Sequence, residues 1–194
     1  MLDLLLAELQ NELPGALELR QRIHAAPELA HREEATATAI ADALGVEVTR
    51  AAGTGVIARI AGEGRAVAVR AELDGLPVEE RTGARYAAHN GAMHACGHDV
   101  HAAALVALVR AALVVQDRLP APLMGVFQPS EEAYPSGARL LVEEGRLDGA
   151  VRAIVGVHVH PDLPWGSLSI GPGAINAACD SVEIMVEGQA AHGA

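Results

Sequence analysis

One short stretch of the sequence concentrates side chains that bind metal ions. Residues 93–101, Met-His-Ala-Cys-Gly-His-Asp-Val-His, hold three histidines, a cysteine and an aspartate. On a helix Cys96 and His98 would point to nearly opposite sides, but in a turn both side chains can reach one ion. A run of helix-forming composition follows at 102–115, with Asp99 as its predicted N-cap. The stretch predicts a metal-binding turn at a helix N-terminus, where the dipole favours a thiolate. The alternative is a chance grouping of ordinary core and cap residues.

Three predicted strands run into acidic residues or histidines, which would add donors to the same site. They are 66–70 with Glu72 and Asp74, 123–127 with Glu131 and Glu132, and 153–159 with His158 and His160. Ligands gather at the carboxyl ends of strands in an open α/β sheet, and a cation relieves repulsion between adjacent carboxylates. Taken singly, the acids could be solvated turn residues and His158 a hydrogen-bonded core histidine. Together with the Cys/His turn, they favour metal-assisted hydrolysis.

The elements that must position these residues follow from periodicity and from the placement of glycine and proline. The predicted helices are 2–25, 33–44, 102–115 and 137–144, and the predicted strands are 46–49, 56–60, 66–70, 123–127, 153–159, 167–170 and 181–186. Pro14 is expected only as a break or a first-turn residue, and Gly45 as the stop of the second helix. Strands alternating with helices predict an α/β fold with a mixed, largely parallel sheet flanked by helices.

Composition narrows the function classes. The 194 residues suggest one domain, or one domain and part of another, with 51% apolar but only 2% aromatic residues. A formal charge of −11 argues against nucleic acid and anionic membranes as partners. The two cysteines do not resemble a secreted disulfide framework, and the N-terminus lacks the basic start of a signal peptide. We therefore expect a soluble, cytoplasmic protein. The Gly-Thr-Gly-Val-Ile-Ala run at 53–58 fits a dinucleotide fingerprint but leads into a β-prone segment, so a nucleotide site is not predicted.

Four motifs, at 70–77, 93–99, 127–132 and 188–194, make the sequence resemble one family. These are the metal-dependent amidohydrolases that include hippurate hydrolase, N-acetyl-diaminopimelate deacetylase and auxin–amino-acid conjugate hydrolase, relatives of aminoacylase and the zinc carboxypeptidases. The resemblance implies a zinc-exopeptidase-like catalytic domain with two divalent ions, from among Zn, Mn, Co and Ni. It also implies an inserted α+β lid domain that forms a homodimer.

The resemblance also implies roles for particular residues. Carried over by motif, the metal ligands are Cys96, His98, Glu132 and His158. Glu131 matches the general base, and Asp74 matches a residue that orients a ligand. His192 matches a lid histidine that reaches the neighbouring subunit's active site. Glu72 stands where many close relatives have Asp, and it is left out of the ligand set. His160 stands where relatives often carry a bulky residue, so we expect it to line the substrate pocket.

The implied organisation is a catalytic domain over 1–177 and the start of the lid over 178–194. On this interpretation the chain is a fragment that lacks a final histidine ligand, and by itself it is expected to be inactive. The function implied for the complete enzyme is hydrolysis of the amide bond of N-acyl amino acids by a metal-activated water. The alternatives are a dipeptidase- or carboxypeptidase-type metallopeptidase and a non-catalytic metal-binding module.

Overall fold

A computed structural model of the chain describes residues 1–174, 182–189 and 191. Two compact units are present, Met1–Val159 and His160–Ala194. In the described residues every helix and strand belongs to the first unit. The helices are α1 Leu2–Ala25, α2 Glu34–Leu44, α3 His98–Val114 and α4 Gly137–Glu143; the strands are β1 Val48–Ala51, β2 Gly55–Ile60, β3 Ala66–Glu72, β4 Leu123–Gln128 and β5 Val151–Gly156. Over the same residues, no helix has both the length and the hydropathy needed to cross a bilayer.

The five strands form one mixed sheet in the order β1-β2-β4-β3-β5. β3, β4 and β5 are parallel to one another, whereas β1 and β2 join the sheet through antiparallel pairings. The carboxyl ends of the three parallel strands therefore lie at one edge of the sheet. The predicted α/β class, with a mixed sheet flanked by helices, is confirmed.

Small side chains allow α3 to lie close against the sheet. α1, α2 and α3 pack on one face around Phe127, the chain's only phenylalanine, which is fully buried. A Cβ atom at Gly125 would lie 2.8 Å from Cγ2 of Val109 in α3, so this strand position requires glycine. On the other face, Leu141 of α4 packs against a second apolar cluster. The core that fixes the site is thus built from Ala, Val, Leu and Ile around a single aromatic ring.

Two helix predictions are wrong in detail. α1 continues through Pro14, which lies on the exposed side of the helix, so water can bond the carbonyl group that the missing N–H leaves free. Asp99 does not cap α3. Gly97 occupies the N-cap position in a left-handed conformation (φ +85°), and the Asp99 carboxylate instead contacts His24 and Arg20.

Strand predictions after residue 150 also need correction. β5 ends at Gly156, three residues earlier than predicted, so His158 follows the strand instead of lying within it. Residues 167–170 and 182–186 are described and form no strand; Ser181, the first residue of the last predicted strand, lies outside the described residues. Alternating apolar residues are a local signal, whereas a strand also needs a hydrogen-bonding neighbour.

Candidate metal centre

Four segments converge at the edge where the parallel strands end. Asp74 follows β3 by two residues, the Glu131–Glu132 pair follows β4, and His158 follows β5 by two residues. The fourth segment is the turn that carries Cys96 and starts α3. The structure thus brings together five of the residues predicted from sequence for metal binding and catalysis: Cys96, His98, Glu131, Glu132 and His158.

His98 lies at the centre of this cluster and is 1% exposed. Its Nδ1 atom lies 2.8 Å from the main-chain oxygen of Asp74, which fixes the N–H on that nitrogen. The Nε2 atom faces Oε2 of Glu131 and Oε1 of Glu132, both at 3.9 Å. It is buried and has no hydrogen-bond partner within the described part of the chain. A buried imidazole nitrogen with a free lone pair, aimed at two carboxylates, fits a metal ligand.

Donor atoms gather in overlapping groups around His98. One group consists of Cys96, His98 and His158, and another of His98, Glu131 and Glu132, with the donor atoms of each group within 4.8 Å of one another. Sγ of Cys96 lies 3.3 Å from Nε2 of His158. Sulfur, imidazole and carboxylate donors in one place are typical of sites for Zn²⁺ and related divalent ions. The residues present therefore fit a resident metal.

The electrostatics of the site favour a cation. Burial raises the pKa of the Cys96 thiol, and the carboxylates of Glu132 and Glu131 raise it further, to about 12. Burial lowers the pKa of His98, but the hydrogen bond to Asp74 and the negative charge of Glu72 outweigh burial, so its net pKa lies above the usual value. The surrounding carboxylates thus oppose a thiolate and attract positive charge. A bound divalent ion would neutralise the carboxylates and favour the thiolate form of Cys96.

Asp74 links two of the predicted ligands. Its main-chain oxygen accepts from His98, and its Oδ2 atom accepts the Glu132 N–H at 2.8 Å. Burial raises the pKa of Asp74, but His98, whose Nδ1 lies 3.4 Å from Oδ1 of Asp74, and the amides of Glu132 and Glu131 outweigh burial, so the net pKa lies below the usual value. Asp74 therefore orients His98 through its main-chain oxygen, with its buried carboxylate 3.4 Å from the same ring nitrogen, and that carboxylate holds the backbone of Glu132, as residues behind metal ligands commonly do.

A second pair, Glu72 and His101, supports the His158 segment. Nδ1 of His101 lies 2.8 Å from Oε2 of Glu72, and Nε2 accepts the main-chain N–H of Val159 at 3.0 Å. Glu72 and His101 also form a possible metal group with His98. However, both ring nitrogens of His101 are already bonded, so we interpret His101 as a support for the chain next to His158. This supporting role of His101 was not predicted from the sequence, where the His-Asp-Val-His spacing is the only feature that points to it.

Gly97 allows the turn that carries Cys96 to approach the segment that carries His158. A Cβ atom at this position would lie 2.5 Å from Cγ2 of Val159, and its φ of +85° is one that L side chains rarely adopt. Any larger residue would push the Cys96 turn and the His158 segment apart.

Behind α3, His24 bridges two carboxylates. Its Nδ1 atom lies 2.9 Å from Asp99, and its Nε2 atom lies 3.1 Å from Glu80. Burial raises the pKa of Glu80, but donation from the Thr82 hydroxyl, the Ala88 amide and His24 holds it at about 2. This network ties the long polar segment before the Cys/His turn to α1 and α3.

Two predicted site residues, His160 and His192, are not among the residues that converge at the sheet edge in the described part of the chain. His192 lies outside the described residues. His160 belongs to the second compact unit, where its Nδ1 atom accepts the Asp162 amide at 3.3 Å.

The sequence is similar to known proteins along most of its length. A family model described as peptidase family M20/M25/M40 matches residues 68–192. The N-acetyl-L-cysteine deacetylase of Bacillus subtilis is 41% identical, with 97% of this chain and 46% of the deacetylase aligned. An N-acyl-L-amino acid amidohydrolase of Geobacillus stearothermophilus is 37% identical, over 90% of this chain and 49% of that protein. The thermostable carboxypeptidase 1 of Saccharolobus solfataricus is 36% identical, over 91% and 47%.

A solved structure of a related protein has a similar fold. The crystal structure of a dinuclear metal-binding peptidase of the M20 family from Bacillus subtilis superimposes with a TM-score of 0.74 and 35% sequence identity, over 80% of this chain and 45% of that one. The chain spans about half the length of the curated relatives it matches.

Proposed function

Because the chain belongs to the peptidase family M20/M25/M40, we propose that it forms the metal-binding part of an amidohydrolase that cleaves N-acyl amino acids. The observation that carries this proposal is the free Nε2 atom of His98, which is buried among sulfur, imidazole and carboxylate donors. Relatives described as a deacetylase and an amidohydrolase support the substrate class. A homodimer and a cytoplasmic location remain predictions from the sequence.

In the proposed mechanism, the divalent ions would be held by Cys96, His98, Glu132 and His158. When bound, such ions lower the pKa of water toward ~7 and polarise the amide carbonyl. Glu131 is the general base, because its side chain is 38% exposed and lies beside the ligands, and among the described residues it has no close hydrogen bond of its own. Glu131 takes the proton of the attacking water and returns it to the departing amine nitrogen, a transfer worth roughly 10²–10⁴-fold.

Other residues restrain the catalytic groups. Asp74 accepts the main-chain amides of Glu132 and Glu131, so it anchors the backbone that carries both glutamates. Nη2 of Arg70 lies 3.9 Å from Oε1 of Glu131, so a positive charge faces the carboxylate of the proposed base. By the family resemblance, His192 would donate to the substrate carbonyl.

Peptide cleavage is the second candidate, because the carboxypeptidase relatives are nearly as similar as the deacylases. The chemistry at the metal site would be the same, and the substrates would differ in having a free amino group. A third possibility, a metal-binding module without catalysis, predicts bound metal and no turnover.

One experiment separates the three candidates. Protein expressed from the complete reading frame is loaded with Zn²⁺, Mn²⁺ or Co²⁺ and assayed on N-acetyl amino acids and on dipeptides. Faster hydrolysis of the N-acetyl compounds supports the proposal, dipeptide preference supports the peptidase, and bound metal without either reaction supports the module.

The two glutamates give a matched control. Glu131→Gln should keep the metal and lose turnover by roughly 10²–10⁴-fold, whereas Glu132→Gln should lose metal. Equal metal loss in both variants would contradict the division of roles.

A further inference from the structure

The turn that carries the two catalytic-site glutamates has a strained backbone. Ser130 has φ +50°, a left-handed conformation that is uncommon for residues other than glycine, and the residue that follows it is Glu131. Such outliers persist only where the surrounding structure enforces them, and they cluster at functional sites. The Ser130 carbonyl accepts the Gly137 N–H at 3.0 Å, which closes the turn on one side.

A buried carboxylate from another part of the chain holds the other side of this turn. Glu33, the N-cap residue of α2, is fully buried. Its Oε1 atom accepts the Ser130 main-chain N–H at 2.7 Å and the Ser130 hydroxyl at 3.2 Å. The other oxygen, Oε2, accepts the Thr54 hydroxyl at 2.7 Å. Three donors thus converge on one carboxylate, which is the arrangement that a buried charge requires.

The Ser130 side chain completes the arrangement. While its hydroxyl donates to Glu33, its oxygen accepts the main-chain N–H of His31 at 2.8 Å and lies 3.0 Å from Nδ1 of the same histidine. The Ser130 hydroxyl therefore has three polar partners, which leaves it little freedom to rotate. His31 is itself left-handed, with φ +66°, so two uncommon backbone conformations are held by the same set of bonds.

We propose that Glu33 is a positioning residue for the metal centre, which fixes Ser130 and thereby directs Glu131 and Glu132 toward His98. Glu33 is not among the candidate metal ligands, so it acts through Ser130. The turn is held by Glu33 before Glu131 and by Asp74 at the Glu132 amide. This inference rests on the proposed function, because it assigns Glu33 a role at that same site.

A purely structural role for Glu33 is the competing explanation, in which the carboxylate only ties α2 to the sheet. The two roles differ in what the loss of Glu33 changes. A structural tie would lower the stability of the fold and leave the folded site unaltered. A positioning residue would also loosen the turn and weaken metal binding in protein that is fully folded.

The test uses Glu33→Gln in the 194-residue chain, with Co²⁺ as the probe. Glutamine has the same size but offers one acceptor oxygen and one NH₂ donor, so it cannot accept from both Ser130 and Thr54. Glu34→Gln, at the neighbouring exposed position, controls for the charge. Ile40→Val, a core truncation in the same helix, controls for a general loss of stability.

Two readouts are measured on protein shown to be folded by circular dichroism. The Co²⁺ affinity of Glu33→Gln should fall by roughly 10–100-fold, the usual effect of removing a residue behind the ligands. Hydrogen–deuterium exchange over residues 129–132 should be faster than in the parent chain. Both controls should match the parent in Co²⁺ affinity.

Folded Glu33→Gln that binds Co²⁺ like the parent would overturn the positioning role. A parent chain that binds no Co²⁺ would instead overturn the proposed function. If Glu33→Gln does not fold, Ser130→Ala replaces it, since it removes the hydroxyl bonds and keeps the amide bond to Glu33. Ser130→Ala should shift both readouts in the same direction, and unchanged affinity and exchange in that variant would also refute the proposal.

Discussion

Gly137 is the position where one added methyl group would most directly disturb the turn that carries the glutamates. A Cβ atom built on Gly137 would lie 1.9 Å from the main-chain oxygen of Pro129 and 2.8 Å from its carbonyl carbon. Both are backbone atoms, so no side-chain rotation can relieve the contact. The φ angle of Gly137 is not in the left-handed region, so alanine is disfavoured by space alone.

The size of the effect follows from this distance. Real Cβ contacts are essentially never shorter than 3.0 Å, so Pro129 and α4 must separate by at least 1.1 Å. Overpacking of this kind costs about 1–3 kcal/mol of unfolding free energy. Because Pro129 directly precedes Ser130, the shift is transmitted to the glutamates, and Co²⁺ affinity should fall by roughly tenfold or more.

Gly15→Ala is the matched control for Gly137→Ala. Gly15 lies inside α1 with nothing within 4 Å of its added Cβ, so alanine there should stabilise the helix by about 0.5–1 kcal/mol. Unfolding free energies come from urea titrations followed by circular dichroism, and affinities from Co²⁺ titration. A Gly137→Ala protein as stable as the parent, with the same Co²⁺ affinity, would refute the reasoning.

Two further predictions concern buried carboxylates. The pKa of Glu80 is about 2 in the folded chain against its usual 4.5, so its ionised form stabilises the fold above pH 4.5, and that contribution is lost as the pH falls toward 2. In urea titrations between pH 6 and pH 3, the difference in unfolding free energy between the parent and Glu80→Gln should therefore shrink as the pH falls. Glu79→Gln, at an exposed position, is the control. A difference that does not depend on pH would contradict the assignment. Asp74→Asn removes the charge beside His98 and should lower Co²⁺ affinity by roughly 10–100-fold. Asp42→Asn, at an exposed position, should leave the affinity unchanged. Equal Co²⁺ affinities of Asp74→Asn and the parent would contradict the orienting role of Asp74.

Sequence patterns predicted most elements because their signals are local. The bounds of α1 are those predicted, and α2 stops at Gly45, which adopts the left-handed conformation expected of a helix-ending glycine. The failures occurred where a local signal is not sufficient. Pro14 is tolerated because of which side of α1 it occupies, and residues 182–186 alternate in hydropathy without forming a strand. Solvent exposure and strand pairing are both set by the tertiary fold.

The ligand cluster could be predicted for a related reason. Its members follow strands or begin a helix, and the parallel arrangement that collects strand ends at one edge is a general property of α/β sheets. The supporting residues had no such signal. Glu33 and Ser130 are 97 positions apart, and Val159 and His101 are 58 positions apart, so only the folded chain shows that they meet.

The central claim, a divalent metal site with Cys96 as a ligand, is tested most directly by the absorption spectrum of the chain with Co²⁺. A thiolate ligand gives a sulfur-to-cobalt charge-transfer band, so this band reports a cysteine bound to the metal. We predict the band in the parent chain and in Cys179→Ala, which alters the other cysteine. In Cys96→Ala the band should be absent and the Co²⁺ affinity lower. A parent spectrum without the band, or a band that persists in Cys96→Ala, would contradict the account.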